Sequence, residues 1–228
     1  MTAIEAALLA RRTEIAQACA ACGRDPAHVR LLAVSKGQPA AAVAEAHAAG
    51  QRDFGENYVQ EALDKIAALG ALDARWHFIG PLQSNKTARV AEHFAWVHSV
   101  DRLKLAERLS DQRPPELPPL NICVQVNISG EASKSGCTPD EAPALCQAVA
   151  ALPRLRLRGL MAIPAPAAPG GDARAPFRAL RQLLESLRAQ GLILDTLSAG
   201  MSDDFAAAIA EGATLVRIGT GIFGARHR

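Results

Sequence analysis

Aromatic residues and net charge are both scarce in this sequence. Aromatic side chains make up 4% of the 228 residues, and the formal net charge is only +2. Nucleic-acid binders carry a concentrated basic face, and those that bind single strands stack bases on aromatic rings. We therefore expect no nucleic-acid partner.

Long apolar runs are missing as well. No stretch approaches the roughly 18 consecutive apolar residues that a membrane-spanning helix needs. Glu5 precedes Arg11 and Arg12 at the N-terminus, which is the wrong charge order for a secretory signal. The five cysteines are an odd number, which argues against a disulfide framework. The sequence therefore indicates a cytoplasmic protein without a membrane partner, and no spacing of potential ligands suggests a metal site.

Short apolar runs alternate regularly with helical patterns along the chain. Strands are predicted at residues 29–35, 53–57, 76–79, 96–100, 121–128, 155–163, 194–197 and 214–218. Seven helices are predicted between them, at residues 39–49, 58–69, 84–93, 101–112, 139–152, 175–190 and 203–211. Asp101 and Thr138 are the expected caps of two of these helices. Strands that alternate with helices indicate a parallel sheet.

The length and strand count favour an α/β fold, a single (β/α)8 barrel of the TIM type over residues 1–228. About ten residues follow the last strand, which leaves no room for an eighth outer helix of normal length. A predicted helix within residues 1–23 is expected to pack on the barrel and cover that gap. A doubly wound open sheet is the less favoured alternative, because eight strands in one open sheet are unusual for a chain of this size.

Lysine chemistry has few candidates here, because only five of the 25 basic residues are lysine. Lys36 ends the first predicted strand, and the active sites of such barrels lie at the C-terminal ends of their strands. Burial disfavours the charged form of an amine and leaves it nucleophilic towards carbonyl compounds. Lys36 is therefore a candidate for Schiff-base formation, although a lysine that only reaches solvent from a strand end fits the position too.

Small and hydroxyl-bearing residues follow the last two strands, where barrels frequently bind phosphate. The segments are residues 198–202 (SAGMS) and 219–221 (GTG). Ser202 is expected at the start of a helix, which favours an anion. A reactive lysine opposite a phosphate site fits two ligand classes, pyridoxal phosphate or a phosphorylated sugar in an aldolase.

Four other features are weaker candidates. Residues 219–224 match GxGxxG, but the helix, strand and acidic residue of a dinucleotide site do not follow. Asp203 and Asp204 fit the first turn of a helix, and His77 fits a packed strand residue. Lys134 follows the fifth strand, where a solvated loop lysine is the favoured interpretation and a second aldehyde-reactive amine the alternative.

Seven motifs occur in order along nearly the whole chain. They are LLAVSKGQP (31–39), DFGENYVQEALDK (53–65), WHFIGPLQSNK (76–86), QVNISGEASKSG (125–136), GLMAI (159–163), LSAGMSDDF (197–205) and VRIGTGIFGAR (216–226). Together they resemble the pyridoxal phosphate homeostasis protein family, which is itself similar to the N-terminal barrel of alanine racemase.

The resemblance implies a pyridoxal 5'-phosphate cofactor and names the residues around it. Lys36 is implied as the Schiff-base lysine. Ser202, Gly219 and Thr220 are implied to hold the phosphate. Arg217 is implied to face the pyridine nitrogen and Asn57 to lie beside the cofactor. An arginine at the ring nitrogen disfavours its protonation and weakens the ring as an electron sink.

The resemblance also bears on activity. An alanine racemase has a second domain that supplies a tyrosine, and racemisation needs an acid/base group on each face of the substrate carbon. The only tyrosine here is Tyr58. We therefore expect a non-catalytic monomer that buffers and delivers pyridoxal phosphate, with apo-enzymes as recipients and an indirect effect on amino-acid and keto-acid balance. A small racemase or decarboxylase, and a phosphosugar aldolase, remain the alternatives.

Overall fold

Eight parallel strands form a closed barrel, in which each strand pairs with the next in the chain and the last pairs with the first. The computed structural model describes residues 1–131, 135–165 and 171–225. The strands are β1 (Arg30–Val34), β2 (Asp53–Glu56), β3 (Arg75–Phe78), β4 (Trp96–Val100), β5 (Leu120–Gln125), β6 (Leu155–Met161), β7 (Thr196–Ser198) and β8 (Leu215–Ile218). The predicted (β/α)8 barrel is confirmed, and the open sheet is wrong because β1 and β8 pair along four residues.

Helices surround the barrel in chain order. They are α1 (Ala3–Ala21), α2 (Ala40–Ala48), α3 (Val59–Ala68), α4 (Thr87–His93), α5 (Leu103–Gln112), α6 (Ala142–Ala150), α7 (Ala175–Ala189), α8 (Phe205–Ala210) and the single turn α9 (Thr220–Phe223). Short 3-10 turns cover Pro26–His28 and Ser84–Lys86. Within the described parts of the chain, no helix has the length and apolarity to cross a membrane.

Several predicted boundaries are wrong. The fifth strand ends at Gln125 rather than at residue 128, because β6 ends at Met161: the N–H of Val126 still donates to Met161 O, but the N–H of Asn127 donates to Cys137 O instead. Asp101 is not a helix cap, since α5 begins at Leu103 and no side chain caps it. The predicted helix at 203–211 begins only at Phe205.

Thr138 does exchange hydrogen bonds with Glu141, as in a capping box, but one turn before α6 begins. The seventh strand begins at Thr196, two residues later than the predicted start at residue 194. Its first pair with β6 is Thr196 with Gly159.

The helix α1 closes the outer ring. A capping box of Thr2 and Glu5 begins the helix, and Leu8, Ile15 and Cys19 are buried in the main apolar core. The helix packs against α8 and α9 on one side and α2 on the other. It therefore fills the gap that the short α9 leaves after β8, as the sequence predicted.

Alternation along the strands separates an outer core from the barrel interior. In β1, Leu31 and Ala33 belong to the main core between strands and helices, whereas Leu32 and Val34 belong to a small separate cluster with Ile79 and Leu215. A second small cluster contains Trp96, Cys123 and Met161. The continuous core thus lies outside the sheet, and the apolar residues of the interior form only these two separate clusters of four and three buried residues.

Candidate functional site

A cavity of about 170 Å³ opens at the C-terminal ends of the strands. All six residues predicted as cofactor-binding line it: Lys36, Asn57, Ser202, Arg217, Gly219 and Thr220. Four apolar side chains complete the wall: Val34, Ile79, Ile163 and Met201. The lining residues come from β1 and β8 and from the segments that follow β1, β2, β3, β6, β7 and β8, so the barrel brings together residues that are far apart in the chain.

The backbone on both sides of Lys36 is held by the helix α3. Lys65 Nζ donates a hydrogen bond to the carbonyl oxygen of Ser35 at 2.6 Å. The N–H of Gly37 donates to Glu61 Oε1 at 2.5 Å. Glu61 and Lys65 lie one helical turn apart and also pair with each other at 2.6 Å. These contacts hold the residue at the mouth of the cavity between two anchored neighbours.

Glu56, the last residue of β2, completes this buried network. Lys65 Nζ donates to Glu56 Oε1 at 2.7 Å, and the Ser35 hydroxyl donates to the same oxygen at 2.6 Å. Glu56 has no exposed surface, and its Oε2 atom makes no hydrogen bond to any residue that the structure describes. Burial raises the pKa of Glu56, although Lys65 and the two hydrogen bonds oppose the shift. Neither Glu56 nor Lys65 was predicted as part of the site, although Glu61 and Lys65 show the i, i+4 spacing of a helical ion pair.

Arg217 brings a buried positive charge into the cavity. Its side chain donates to Ser198 O at 2.7 Å, Ser198 Oγ at 2.9 Å and Ala162 O at 2.9 Å. Burial lowers the pKa of Arg217 to about 10. Among residues 1–131, 135–165 and 171–225, no carboxylate forms an ion pair with it. Since these three bonds use three of the five N–H groups of a guanidinium, two remain for a ligand.

The loops after β7 and β8 form a wall of small residues. A Cβ atom on Gly219 would lie 3.2 Å from the carbonyl oxygen of Val34, so this position favours glycine. Thr220 begins α9, and the first N–H groups of a helical turn lack partners within that turn. The expectation that Ser202 begins a helix is wrong: Ser202 lies in the turn before α8, in which the N–H of Met201 donates to Asp204.

The weaker candidates from the sequence do not form a second ligand site in the described residues. Residues 219–224, which match GxGxxG, contain only the four-residue helix α9. His77 is fully buried in the barrel interior. Lys134 lies outside the described residues. Across the described part of the chain, no cluster of three potential ligands has the geometry for a metal ion.

The chain is similar over nearly its whole length to proteins of one family. The family model described as "Alanine racemase, N-terminal domain" matches residues 8–227. A curated protein of Pseudomonas aeruginosa named "Pyridoxal phosphate homeostasis protein" is 68% identical over 212 residues, covering 93% of this chain and 91% of the relative. The relative of the same name from Escherichia coli K12 is 58% identical over 221 residues, covering 94% and 93%.

Solved structures agree with this family. PipY of Synechococcus elongatus, in a structure described as having PLP bound, is 42% identical with a TM-score of 0.80, and the match covers 92% of this chain and all of PipY. Alanine racemase of Corynebacterium glutamicum is 18% identical with a TM-score of 0.73, covering 98% of this chain and 60% of the racemase. The racemase likeness concerns the fold alone.

Proposed function

Because the chain belongs to the pyridoxal phosphate homeostasis protein family, we propose that its cavity binds pyridoxal 5'-phosphate and that the protein buffers and delivers this cofactor in the cell. The structure of the PipY relative is described as having PLP bound. We further propose that the protein acts in the cytoplasm as a monomer, with apo-enzymes that need the cofactor as its recipients.

The chemistry of the cavity fits this cofactor. Pyridoxal phosphate, when bound, supplies an aldehyde, an aromatic nitrogen and a phosphate dianion. Lys36 offers an amine for a Schiff base with the aldehyde, and Arg217 offers buried N–H donors to the ring nitrogen. We assign the phosphate to Ser202, Gly219 and Thr220, and the position beside the ring to Asn57.

One observation carries the proposal: a lysine and a buried arginine line the same cavity, and no carboxylate among the described residues forms an ion pair with that arginine. Asp204 attracts this charge without forming an ion pair with it. A buried charge without a directly bonded counter-charge is costly, so its place in a ligand cavity favours an electron-rich ligand over a purely structural role. The network of Glu56, Glu61 and Lys65 supports the assignment, because it anchors the backbone on both sides of Lys36.

The test is mass spectrometry of the purified protein after borohydride reduction in the presence of pyridoxal phosphate. We expect one cofactor adduct on Lys36, which Lys36→Ala abolishes and which Lys104→Ala, at an exposed lysine, leaves unchanged. Binding through Lys36 is refuted if the adduct persists in Lys36→Ala. An adduct with a phosphorylated sugar, but none with pyridoxal phosphate, would support the aldolase alternative.

A role in delivery rather than catalysis predicts a second result. The loaded protein should activate an apo-enzyme that depends on the cofactor, and it should not convert D- or L-amino acids. A cation at the ring nitrogen disfavours the protonated ring that carbanion chemistry uses, which fits storage. Turnover of an amino acid that is lost in Lys36→Ala would favour a racemase or decarboxylase instead.

A further inference from the structure

A chain of polar side chains crosses the barrel interior from one mouth to the other. His77 Nε2 lies 2.9 Å from Asp53 Oδ1, and His77 Nδ1 lies 3.0 Å from His98 Nε2. His98 Nδ1 lies 2.8 Å from Ser198 Oγ, which accepts a hydrogen bond from Arg217 Nη1. Both histidines are fully buried. The chain thus connects Asp53, at the N-terminal end of β2, to the guanidinium that lines the cofactor cavity.

With both histidines neutral, the hydrogen bonds of this chain have only one consistent direction. An arginine can only donate and an ionised carboxylate can only accept. Asp53 therefore requires a proton on His77 Nε2, which leaves Nδ1 of a neutral His77 as an acceptor. His98 must then donate from Nε2 and accept at Nδ1 from the Ser198 hydroxyl. Donation runs from Arg217 through Ser198, His98 and His77 to Asp53.

The charges at the two ends agree with this direction. Burial would raise the pKa of Asp53, but hydrogen bonds from Arg75 and His77 outweigh it and keep the carboxyl ionised. Burial lowers the pKa of His77, and burial together with the nearby His77 and Arg217 lowers that of His98, so both are neutral at pH 7. The dipoles of the Ser198 hydroxyl and of the two imidazole rings are aligned, with their negative ends towards Arg217 and their positive ends towards Asp53. In a medium of low dielectric constant, such alignment stabilises both buried charges.

We propose that Ser198, His98, His77 and Asp53 are positioning residues for Arg217, and that they form a one-way hydrogen-bond relay that orients the guanidinium in the cofactor cavity. The effect on the cofactor rests on the proposed function, whereas the relay itself does not. A consequence is that the Asp53–Arg75 ion pair at the opposite mouth influences the cavity without lining it.

The relay can be tested without the cofactor, by ¹⁵N NMR of the histidine side chains at neutral pH. We expect His77 and His98 to be neutral, each with its proton on Nε2. A proton on Nδ1 of either residue, or a charged imidazole, would overturn the proposed direction. This measurement uses the wild-type protein, so it does not depend on whether an interior variant folds.

The coupling to the cavity is tested with variants at both ends. Ser198→Ala removes the hydroxyl that joins His98 to Arg217, and we expect the dissociation constant for pyridoxal phosphate to rise about tenfold, the loss of one hydrogen bond to a charged group. The matched control is Ser110→Ala, which removes a buried hydroxyl that has no hydrogen-bond partner in the described part of the chain. Equal affinities of Ser198→Ala and wild type would overturn the role of Ser198.

The end of the relay that lies far from the cavity, Asp53, is tested with its own control variant. Asp53→Asn should shift the absorbance band of the bound cofactor, because the charge at the end of the relay is lost. Asp195→Asn also removes a carboxylate that pairs with an arginine at the same end of the barrel, but Asp195 lies outside the relay. An unchanged band in Asp53→Asn, or the same shift in Asp195→Asn, would overturn the coupling. If the wild type binds no pyridoxal phosphate, the proposed function fails while the NMR result still decides the relay.

Discussion

Replacing Lys65 by methionine removes an ammonium group from between two carboxylates while keeping the length of the side chain. Lys65 Nζ makes three hydrogen bonds of 2.6 to 2.7 Å, to Ser35 O, Glu56 Oε1 and Glu61 Oε1. Its side chain is 6% exposed and that of Glu56 is fully buried. The variant therefore leaves Glu56 as a buried carboxylate that keeps one hydrogen bond, from Ser35.

The magnitude follows from the burial of this pair. Removing one partner of a buried ion pair destabilises a protein by about 3 to 5 kcal/mol, because the other charge is left uncompensated. For a chain of this size that corresponds to a fall in Tm on the order of 10 °C. Exposed ion pairs contribute about 1 kcal/mol or less, so Lys65→Met should stand well apart from substitutions of surface lysines.

The loss should depend on pH in a defined direction. The pKa of Glu56 is already raised above its ordinary value of 4.5 by burial, and loss of Lys65 raises it further. The folded state then binds the proton more tightly than the unfolded chain, so stability falls as the pH rises through the folded pKa. Lys65→Met should therefore be destabilised least in mild acid and most above neutral pH.

Urea denaturation at several pH values measures both effects. Adding Glu56→Gln to Lys65→Met removes the uncompensated charge, and we expect it to recover part of the stability and to abolish the pH dependence. Lys104→Met, at an exposed position of α5, is the control and should change the free energy of unfolding by no more than about 0.5 kcal/mol. A free energy for Lys65→Met within about 1 kcal/mol of wild type, or a loss that does not vary with pH, would refute the reasoning.

Three further predictions concern the site, a helix end and the far mouth of the barrel. In Gly80→Ala, the new Cβ would overlap the backbone of Asn57, so a fluorescence titration should show weaker binding of pyridoxal phosphate with little change in the fold seen by circular dichroism. Thr2→Ala removes the hydroxyl that accepts from the N–H of Glu5, and urea denaturation should show a loss of about 1 kcal/mol. The pKa of Asp53 is held below its ordinary value. The ionised carboxylate therefore stabilises the fold at pH values above that ordinary pKa, and this stabilisation is lost as the pH falls. Asp53→Asn should flatten the decline of Tm in acid.

The barrel could be predicted from the sequence because buried parallel strands are short apolar runs between turn residues. The ends of its elements could not, because a strand ends where its neighbour no longer pairs with it. The fifth strand shows this: the strand-like sequence continues to Ile128, but β6 ends at Met161 and the N–H of Asn127 donates to Cys137 instead. The helix predicted from Asp101 begins two residues later, at Leu103, because a residue type that often caps helices does not indicate whether its side chain makes the capping hydrogen bond, and here none does.

The cavity residues could be predicted because five of them follow strand ends and Arg217 lies in the last strand, and because the family resemblance singles them out; every one of the six lines the cavity. Their roles towards a cofactor remain predictions. The relay could not be predicted, because it depends on the register between strands. His98 and Ser198 are 100 residues apart in sequence and meet only across the closed barrel. His77 was expected to be a packed residue; it is packed against Trp96, but it also links His98 to Asp53.

The division between outer core and interior explains how the barrel tolerates such a relay. In barrels of this type the interior is a core of layered side chains, dominated by bulky branched residues. Here the interior apolar residues form two small clusters, while the continuous core joins the strands to the surrounding helices. Most of the apolar burial that stabilises the fold thus lies outside the sheet. The interior is then free to hold two histidines, an arginine and an aspartate, whose desolvation is offset by a fully hydrogen-bonded chain that ends at the cavity.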